Sequence, residues 1–253
     1  MSLAGWRILL LLILLALVHG GCATNPRNPD PWEKTNRFFY GFNDGLDHLL
    51  LKPGADLYVK IVPLPVRTGL ANGFANLNYG DVILNDFLQG MWQQGWSDAG
   101  RMALNSTFGV AGILDIASRY GMTPHENHFG VTLGKWGSGP GPYLVLPFFG
   151  PSSVRDSPDI VVSAVTNPIF WVSDVPFAAT WTLDATQAVG KRSRSEEAVR
   201  FRNQATVDPY VFTREAYLAY RRQLIHPESA PVETDLYDEP VEPTTRPSGG
   251  ESR

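Results

Sequence analysis

At 253 residues the chain is long enough for one large domain with a real hydrophobic core, or two small ones. Only 18% of it is charged, against about 25% in an ordinary soluble domain, while 13 Phe, 9 Tyr and 7 Trp suit either a surface that meets lipid or a globule packed with large rings. The formal charge of −4 is carried by the acidic end, residues 227–253, which leaves 22–226 neutral and excludes the basic footprint of a nucleic-acid binder.

The chain opens with Arg7 and an unbroken apolar run, residues 8–18, too short for a membrane-spanning helix of roughly 20 residues but suited to the core of a signal peptide, residues 1–21. Gly20 and Gly21 directly before Cys22 resemble a bacterial lipobox, although His19 stands where leucine is usual. Cys22 is the only cysteine, so no intrachain disulfide can form, and a lone thiol in an exported chain is given a use by lipidation. Diacylglyceryl and N-acyl lipid on Cys22 provide enough acyl chains for stable anchoring, and no other cofactor is expected. Ala23, rather than Asp, leans towards the outer membrane. The alternative is an ordinary signal peptide with an incidental cysteine.

Residues 22–29 read as a lipidated tether and 30–226 as one mainly α domain. Asp30-Pro31-Trp32-Glu33 has the form of a helix start with Asp30 as N-cap. Phe38, Phe42, Leu46 and Leu49 then fall on one helical face. Core packing is the expected use for most of that stripe, with Phe38, Phe42 and Leu46 the candidates for a surface facing the leaflet. A second helix is expected from Pro65, with Val66, Leu70, Phe74 and Leu77 on one stripe, and a separate short helix over 82–90. Residues 97–108 read as helix, with Gly100, Ala103 and Thr107 permitting close approach, followed by helix or turn to Gly121. Ser153 with Asp156 and Ser193 with Glu196 resemble capping boxes. Asp208-Pro209 opens a last helix whose stripe is Tyr210, Thr213, Tyr217, Tyr220 and Leu224, with Arg214, Arg221 and Arg222 off it, and Pro227 ends it. Residues 227–253 read as an acidic disordered tail.

The exception to helix is residues 121–151. Gly134, Gly137, Gly139 and Gly141 crowd together with Pro140 and Pro142, and the apolar run Tyr143–Leu146 follows, which reads as an irregular loop plus a strand or hairpin. It lacks the Lys-Ser/Thr ending of a phosphate loop. His125, Glu126 and His128 do not have the H-E-x-x-H spacing, and a polar loop is the better reading than a metal site. No nucleophile elbow is present, so the chain is read as a non-enzyme. Arg155 and Asp156 could hold a headgroup phosphate or form a structural ion pair.

Five strings, DPWEKTNRFFYGFND (30–44), IVPLPVRTGLANGFANL (61–77), VILNDFLQG (82–90), FGVTLGKWGSGPGPYLVLPFFGPSSVRD (129–156) and DPYVFTREAYLAYR (208–221), together resemble the MlaA family, also called VacJ, in order and spacing. The resemblance implies a helical ring in the inner leaflet of the Gram-negative outer membrane, lipid-anchored on the periplasmic side. It implies an amphipathic channel through which mislocalised phospholipids leave the outer leaflet for a soluble periplasmic carrier, and association with trimeric porins. On it, Gly134, Gly137, Gly139, Gly141, Pro142 and Tyr143 become candidates for the channel wall or gate. A porin-associated structural lipoprotein and a phospholipid hydrolase are the alternative functions.

Overall fold

The computed structural model describes residues 28–172 and 176–227; the signal region, Cys22 and the acidic tail lie outside the described residues. Among the described residues the elements run α1 (Glu33–Leu46), a π-helical turn (Asp47–Leu51), α2 (Lys52–Ile61), α3 (Leu64–Leu88), α4 (Trp92–Thr107), α5 (Ile116–Arg119), α6 (Phe129–Lys135), β1 (Tyr143–Leu146), β2 (Gly150–Ser153), α7 (Asp159–Thr166), a 3-10 turn (Pro168–Trp171), α8 (Phe177–Arg194), α9 (Glu196–Ala205) and α10 (Pro209–Ile225). The domain is mainly helical, with one antiparallel hairpin in which Tyr143 faces Ser153 and Leu146 faces Gly150.

Local chemistry sets most boundaries. Helix continues from α1 through the π turn into α2 and stops at Val62, which is extended because Pro63 follows it. The two helices expected over 65–77 and 82–90 are one 25-residue helix, α3. Gly80 lies in its interior without breaking it, since glycine there costs only about 1 kcal/mol. The missing side chain has a use: a Cβ on Gly80 would lie 2.8 Å from the Thr166 carbonyl oxygen of α7. Gly90 ends the helix in the left-handed conformation at φ +74°. Ser153 accepts the Asp156 N–H, as a capping residue does, but turns intervene before α7 begins at Asp159. Ser193 is not a cap; it lies inside α8 and donates to the Gly190 carbonyl. Asp208 caps α10 as its sequence suggests, accepting the Tyr210 and Val211 N–H groups.

Contacts between elements close into a circuit. From α3 it passes to α8, α2, the π turn, α1, β1, β2, α10 and α6, and from α6 back to α3. The apolar core on this circuit is small and aromatic. Tyr143, Val145 and Tyr210 are buried there among Phe39, Tyr40, Val211, Tyr217 and Leu218, with the Tyr143 ring edge-on to Tyr210 and Tyr217 at 6.2 and 6.1 Å.

Two buried polar clusters fasten the hairpin in place. Asn36 of α1 donates to Tyr143 O at 2.9 Å and to Asp30 Oδ1 at 2.8 Å, and accepts the Val145 N–H at 2.9 Å. It thereby satisfies the outer edge of β1. Asp30 is therefore not the cap of α1, which begins at Glu33 with no side-chain cap. Asp30 instead turns inward to Asn36, to the Tyr210 hydroxyl and to Arg214 at 3.1 Å. On the other side of the hairpin, Asp156 accepts from Arg155 at 2.8 Å, from the Tyr217 hydroxyl at 2.7 Å and from Arg221 at 3.1 Å. Arg221 also pairs with Asp159, which accepts the Gly130 N–H. Arg221, expected off the packed stripe of α10, is thus buried, whereas Tyr220 of that stripe is 45% exposed.

Removing the Asn36 amide would leave a strand carbonyl, a strand N–H and a carboxylate without their shared partner. Asn36→Ala should destabilise the protein by about 3 kcal/mol. Phe38→Ala, two residues on but pointing outward, should stay within about 0.5 kcal/mol of the parent. Denaturant titration of the detergent-solubilised protein reads both.

Candidate functional site

The burial of α3 and α4 is inverted relative to a water-soluble helix, and that of α1 in part, since its inward face carries Asn36 beside Phe39 and Tyr40. Inward along α4 point Gly95, Asp98, Arg101 and Asn105, at spacings of three, three and four, while Trp92 and Trp96 face out. Inward along α3 point Asn76, Tyr79, Asp81, Asn85 and Asp86, beside Gly69 and Val82. Of α1 only Asn36 is buried, and Phe38 is 69% exposed. The expectation that this stripe packs mainly into the core does not hold: Phe38 and Phe42 are outward, and Leu46 is half-buried. The small residues of α4 do not mediate the packing either, since Ala103 and Thr107 are exposed. It is Gly95 that lets α4 meet α3, with a Cβ there falling 2.8 Å from the Phe87 ring.

Exposed single hydrophobes are ordinary, but this many large rings on neighbouring outward faces are what a lipid- or partner-facing surface shows. Trp96 is 70% exposed and Phe148 76%, and Phe149, Phe108, Trp136 and Trp181 are outward as well. Among the described residues no helix is long and apolar enough to cross a membrane. Trp92, Trp96 and Trp181 project from helices, and Phe148 and Phe149 from the hairpin turn.

The inward polar face is largely paired internally, with Asp86 Oδ2 and Gln89 Oε1 left over. Tyr79 donates to Asp98 at 2.9 Å, and His125 Nδ1 sits 3.0 Å from the same carboxylate. Asn127 and Gln94 donate to Asp86 Oδ1 at 2.8 and 3.0 Å. Thr132 donates to Asn85 at 2.7 Å, and Asn85 to Asp81 at 2.7 Å. Arg101 bridges to Asp115 at 2.7 Å, which Asn105 and Ser118 also reach. Burial raises the Asp115 carboxyl, but donors from Ser118, Asn105 and Arg101 outweigh it and hold the group at about 2. Asp86 is the opposite case: burial pushes its carboxyl up, Asn127 only partly offsets this, and the neighbouring Asp98 adds to the rise, leaving it at about 6.

Two cavities adjoin these groups. One, of about 70 Å³, lies among Asn76, Tyr79, Arg101, Asn105 and Asp115. The other, a cleft of about 200 Å³, lies among α1, the π turn, the hairpin, α8, α9 and α10, and Tyr40, Asp44, Asp47, Arg192 and Arg202 face it. Asn43 lines the cleft and also grips the hairpin tip, donating to Leu146 O at 2.9 Å and accepting the Phe148 N–H at 2.8 Å. That grip holds Phe148 in the left-handed region at φ +68°, with its ring edge-on to Phe42 at 5.4 Å.

The candidates from sequence are dispersed. Gly134 packs under Ile225, where a Cβ would lie 2.5 Å from Cδ1. Gly137 has φ +94° and open space beside it, and Gly139 has open space. Gly141, at φ +69°, lies against Val154, with Pro142 O accepting the Val154 N–H at 3.1 Å. Tyr143 is a core residue. Neither of the two cavities is lined by residues 134–143. Arg155 and Asp156 are buried and bonded to each other. His125, Glu126 and His128 each turn to a different partner: Asp98, the Tyr220 hydroxyl at 2.7 Å, and Asp81 at 3.7 Å. Among the described residues no group of three or more His, Cys, Asp or Glu is placed to hold a metal. The inward polar stripe and the cleft were both missed; the signal for the first was Asp, Arg and Asn at helical spacing over 98–105.

A family model described as MlaA lipoprotein matches residues 28–224. The Intermembrane phospholipid transport system lipoprotein MlaA of Shigella flexneri is 34% identical over 207 residues, which cover 78% of this chain and 80% of that one. The protein of the same name from Haemophilus influenzae is 31% identical over 223 residues, covering 83% of this chain and 87% of its own. A solved structure, presented as the structural basis for maintenance of bacterial outer membrane lipid asymmetry, superimposes with a TM-score of 0.68 at 28% identity, covering 78% of this chain and 98% of that one.

Asp86 gives a pH test. A carboxyl raised in the folded state binds its proton more tightly there than in the unfolded chain. Its contribution is therefore fully present below its ordinary 3.8 and is lost as pH rises through about 6. Asp86→Asn should remove that loss, making the variant's denaturation midpoint flatter than the parent's between about pH 4 and 7. An unchanged pH profile would show that Asp86 titrates normally.

Proposed function

The chain belongs to the MlaA lipoprotein family, and from that we propose that it removes mislocalised phospholipids from the outer leaflet of the outer membrane and passes them to a soluble periplasmic carrier, maintaining lipid asymmetry. The observation that carries this is the inverted burial of α3, α4 and in part α1, apolar rings outside and a largely paired polar lining inside. A phospholipid has a charged head and two apolar chains, and its path needs surfaces of both kinds. Helices of this type settle in one leaflet with aromatic rings at the interface. The closed circuit of contacts is the ring around which such a path would run. The name shared by the curated relatives, intermembrane phospholipid transport system lipoprotein, supports the same substrate class.

In this reading acyl chains on Cys22 hold the protein to the periplasmic side of the outer membrane, trimeric porins are its neighbours there, and lipids pass without being cleaved. The Gly/Pro stretch 134–142 is the wall or gate of the path. It joins α6 to the hairpin and reaches across to α3, where Trp136 donates to Leu88 O at 3.2 Å.

The experiment is the amount of surface-exposed phospholipid with and without the gene. Deletion should raise it and the parent gene should restore the low level; a deletion strain with normal asymmetry would leave a structural role beside porins. Lysophospholipid or free fatty acid released by the pure protein would instead identify a hydrolase. Cys22→Ser should move the protein from membranes to the soluble fraction after a high-salt wash, and continued pelleting would show that acyl chains are not what holds it. For the gate, Gly139→Val is the clean variant, because space is open there, whereas Gly141→Val strains a left-handed backbone and meets Val154. Gly139→Val should accumulate normally yet fail to restore asymmetry; full restoration would remove the gate assignment.

A further inference from the structure

We propose that the cleft between α1, the hairpin and α8–α9 binds a zwitterionic headgroup, a phosphodiester bearing a primary ammonium, while the acyl chains lie outside it. The inference rests on the phospholipid-handling reading above and names the lipid class that this part of the molecule recognises.

Four observations carry it. The first is size. At about 200 Å³ the cleft is below the roughly 300–1,000 Å³ of pockets that enclose drug-sized ligands, so it takes a headgroup and not a whole lipid. The second is charge. Two guanidiniums, Arg192 and Arg202, and two carboxylates, Asp44 and Asp47, face the same space. The lining is neutral in sum but divided in sign, and Arg202 with Asp44 is its loosely held pair, so a phosphate with a tethered ammonium would be matched on both signs where a purely anionic ligand would be matched on one.

The third is the uneven use of these groups. Arg192 is fully engaged by Asp47 at 2.6 Å and Glu196 at 2.7 Å and serves as the rigid floor. Arg202 is not: its contact with Asp44 is stretched to 3.4 Å and its Nε is spent on the adjacent Asn203. Arg202 therefore keeps donor capacity for a phosphate, and Asp44 keeps acceptor capacity for an ammonium. Beside them the buried Tyr40 hydroxyl has only the Thr213 side chain to turn to, without well-formed hydrogen-bond geometry, and Thr213 Oγ1 already donates to Pro209 O, so the Tyr40 hydroxyl keeps capacity for a ligand. The fourth is continuity. Asn43, in the cleft wall, also holds the turn that presents Phe148 against Phe42, and Val145, Pro151 and Val199 line the cleft beside its charged groups, so an apolar surface for chains runs on from the cleft wall.

The test uses the full-length acylated protein in non-ionic detergent, with calorimetric binding of short-chain phosphatidylethanolamine, short-chain phosphatidylglycerol and free phosphoethanolamine. The ethanolamine lipid should bind tightest. Arg202→Gln should weaken it about tenfold, the scale of one hydrogen bond to a charged group. Asp44→Asn should narrow the preference over phosphatidylglycerol. Tyr40→Phe should also weaken binding, while its melting temperature stays close to the parent's because the hydroxyl has no well-formed hydrogen bond to lose. Equal binding of the two lipids, or parental affinity in both Arg202→Gln and Tyr40→Phe, overturns the proposal. Free phosphoethanolamine binding as tightly as the lipid overturns it in favour of a soluble ligand. If binding fails while deletion of the gene still exposes phospholipid, the headgroup site is wrong and transport stands. If binding holds while the deletion strain keeps its asymmetry, transport is wrong and the site stands.

Discussion

The whole architecture depends on one constraint: polar groups turned away from an apolar exterior must find their partners inside the protein. In an aqueous setting an unmatched amide or carboxylate can recruit solvent. Against hydrocarbon it cannot, and each orphan costs several kcal/mol. This is why Asp81, Asn85, Asp86 and Asp98 occur in a linked set with Gln94, Asn127, Thr132 and His125 rather than as isolated residues. A hydrophobic core of ordinary size would not need them. The small aromatic core around Tyr143 and Tyr210 leaves this hydrogen-bonded lining to carry much of the specificity of the fold.

The same constraint explains how a hairpin of two four-residue strands persists in a helical protein. Two strands alone are marginal in water. Here β1 has its free edge closed by the Asn36 amide, and the chain leaving β2 is tied by Asp156 to α10 through Tyr217 and Arg221. In Asp156, burial raises the carboxyl and the two adjacent guanidiniums, with Tyr217, more than reverse the effect, so the group remains ionised and the cluster keeps its charge balance. The hairpin then serves as a joint between the first and last helices of the circuit, and its tip is free to project Phe148 and Phe149.

Sequence reading recovered the elements whose signals are local. The Asp208-Pro209 start of α10, the Gly90 stop and the strand run Tyr143–Leu146 each follow from chemistry within a few residues. It went wrong where a distant partner decides the outcome. Asp30 has the form of a cap, yet Asn36, Tyr210 and Arg214 draw it inward. Residues 65–77 and 82–90 read as two helices, yet they are one, and Gly80 between them gives its bare surface to the Thr166 carbonyl. The larger error was of sign. Periodicity locates the apolar stripe of α1 correctly but does not say which side of a helix is inside, and the usual assumption sends Phe38 and Phe42 to the core. Only the buried Asn36, two residues before Phe38 and on the opposite face, reverses that assignment. The cleft was illegible for another reason: its walls come from α1, α8 and α9, some 150 residues apart in the chain, and no short motif spans them.

Phe148 carries a consequence for the hairpin tip. An L-residue in the left-handed region gives up about 1–2 kcal/mol that glycine would not. Glycine there would relieve that cost and leave Asn43 its grip on the backbone, but it would strip the tip of the outward ring that stands against Phe42.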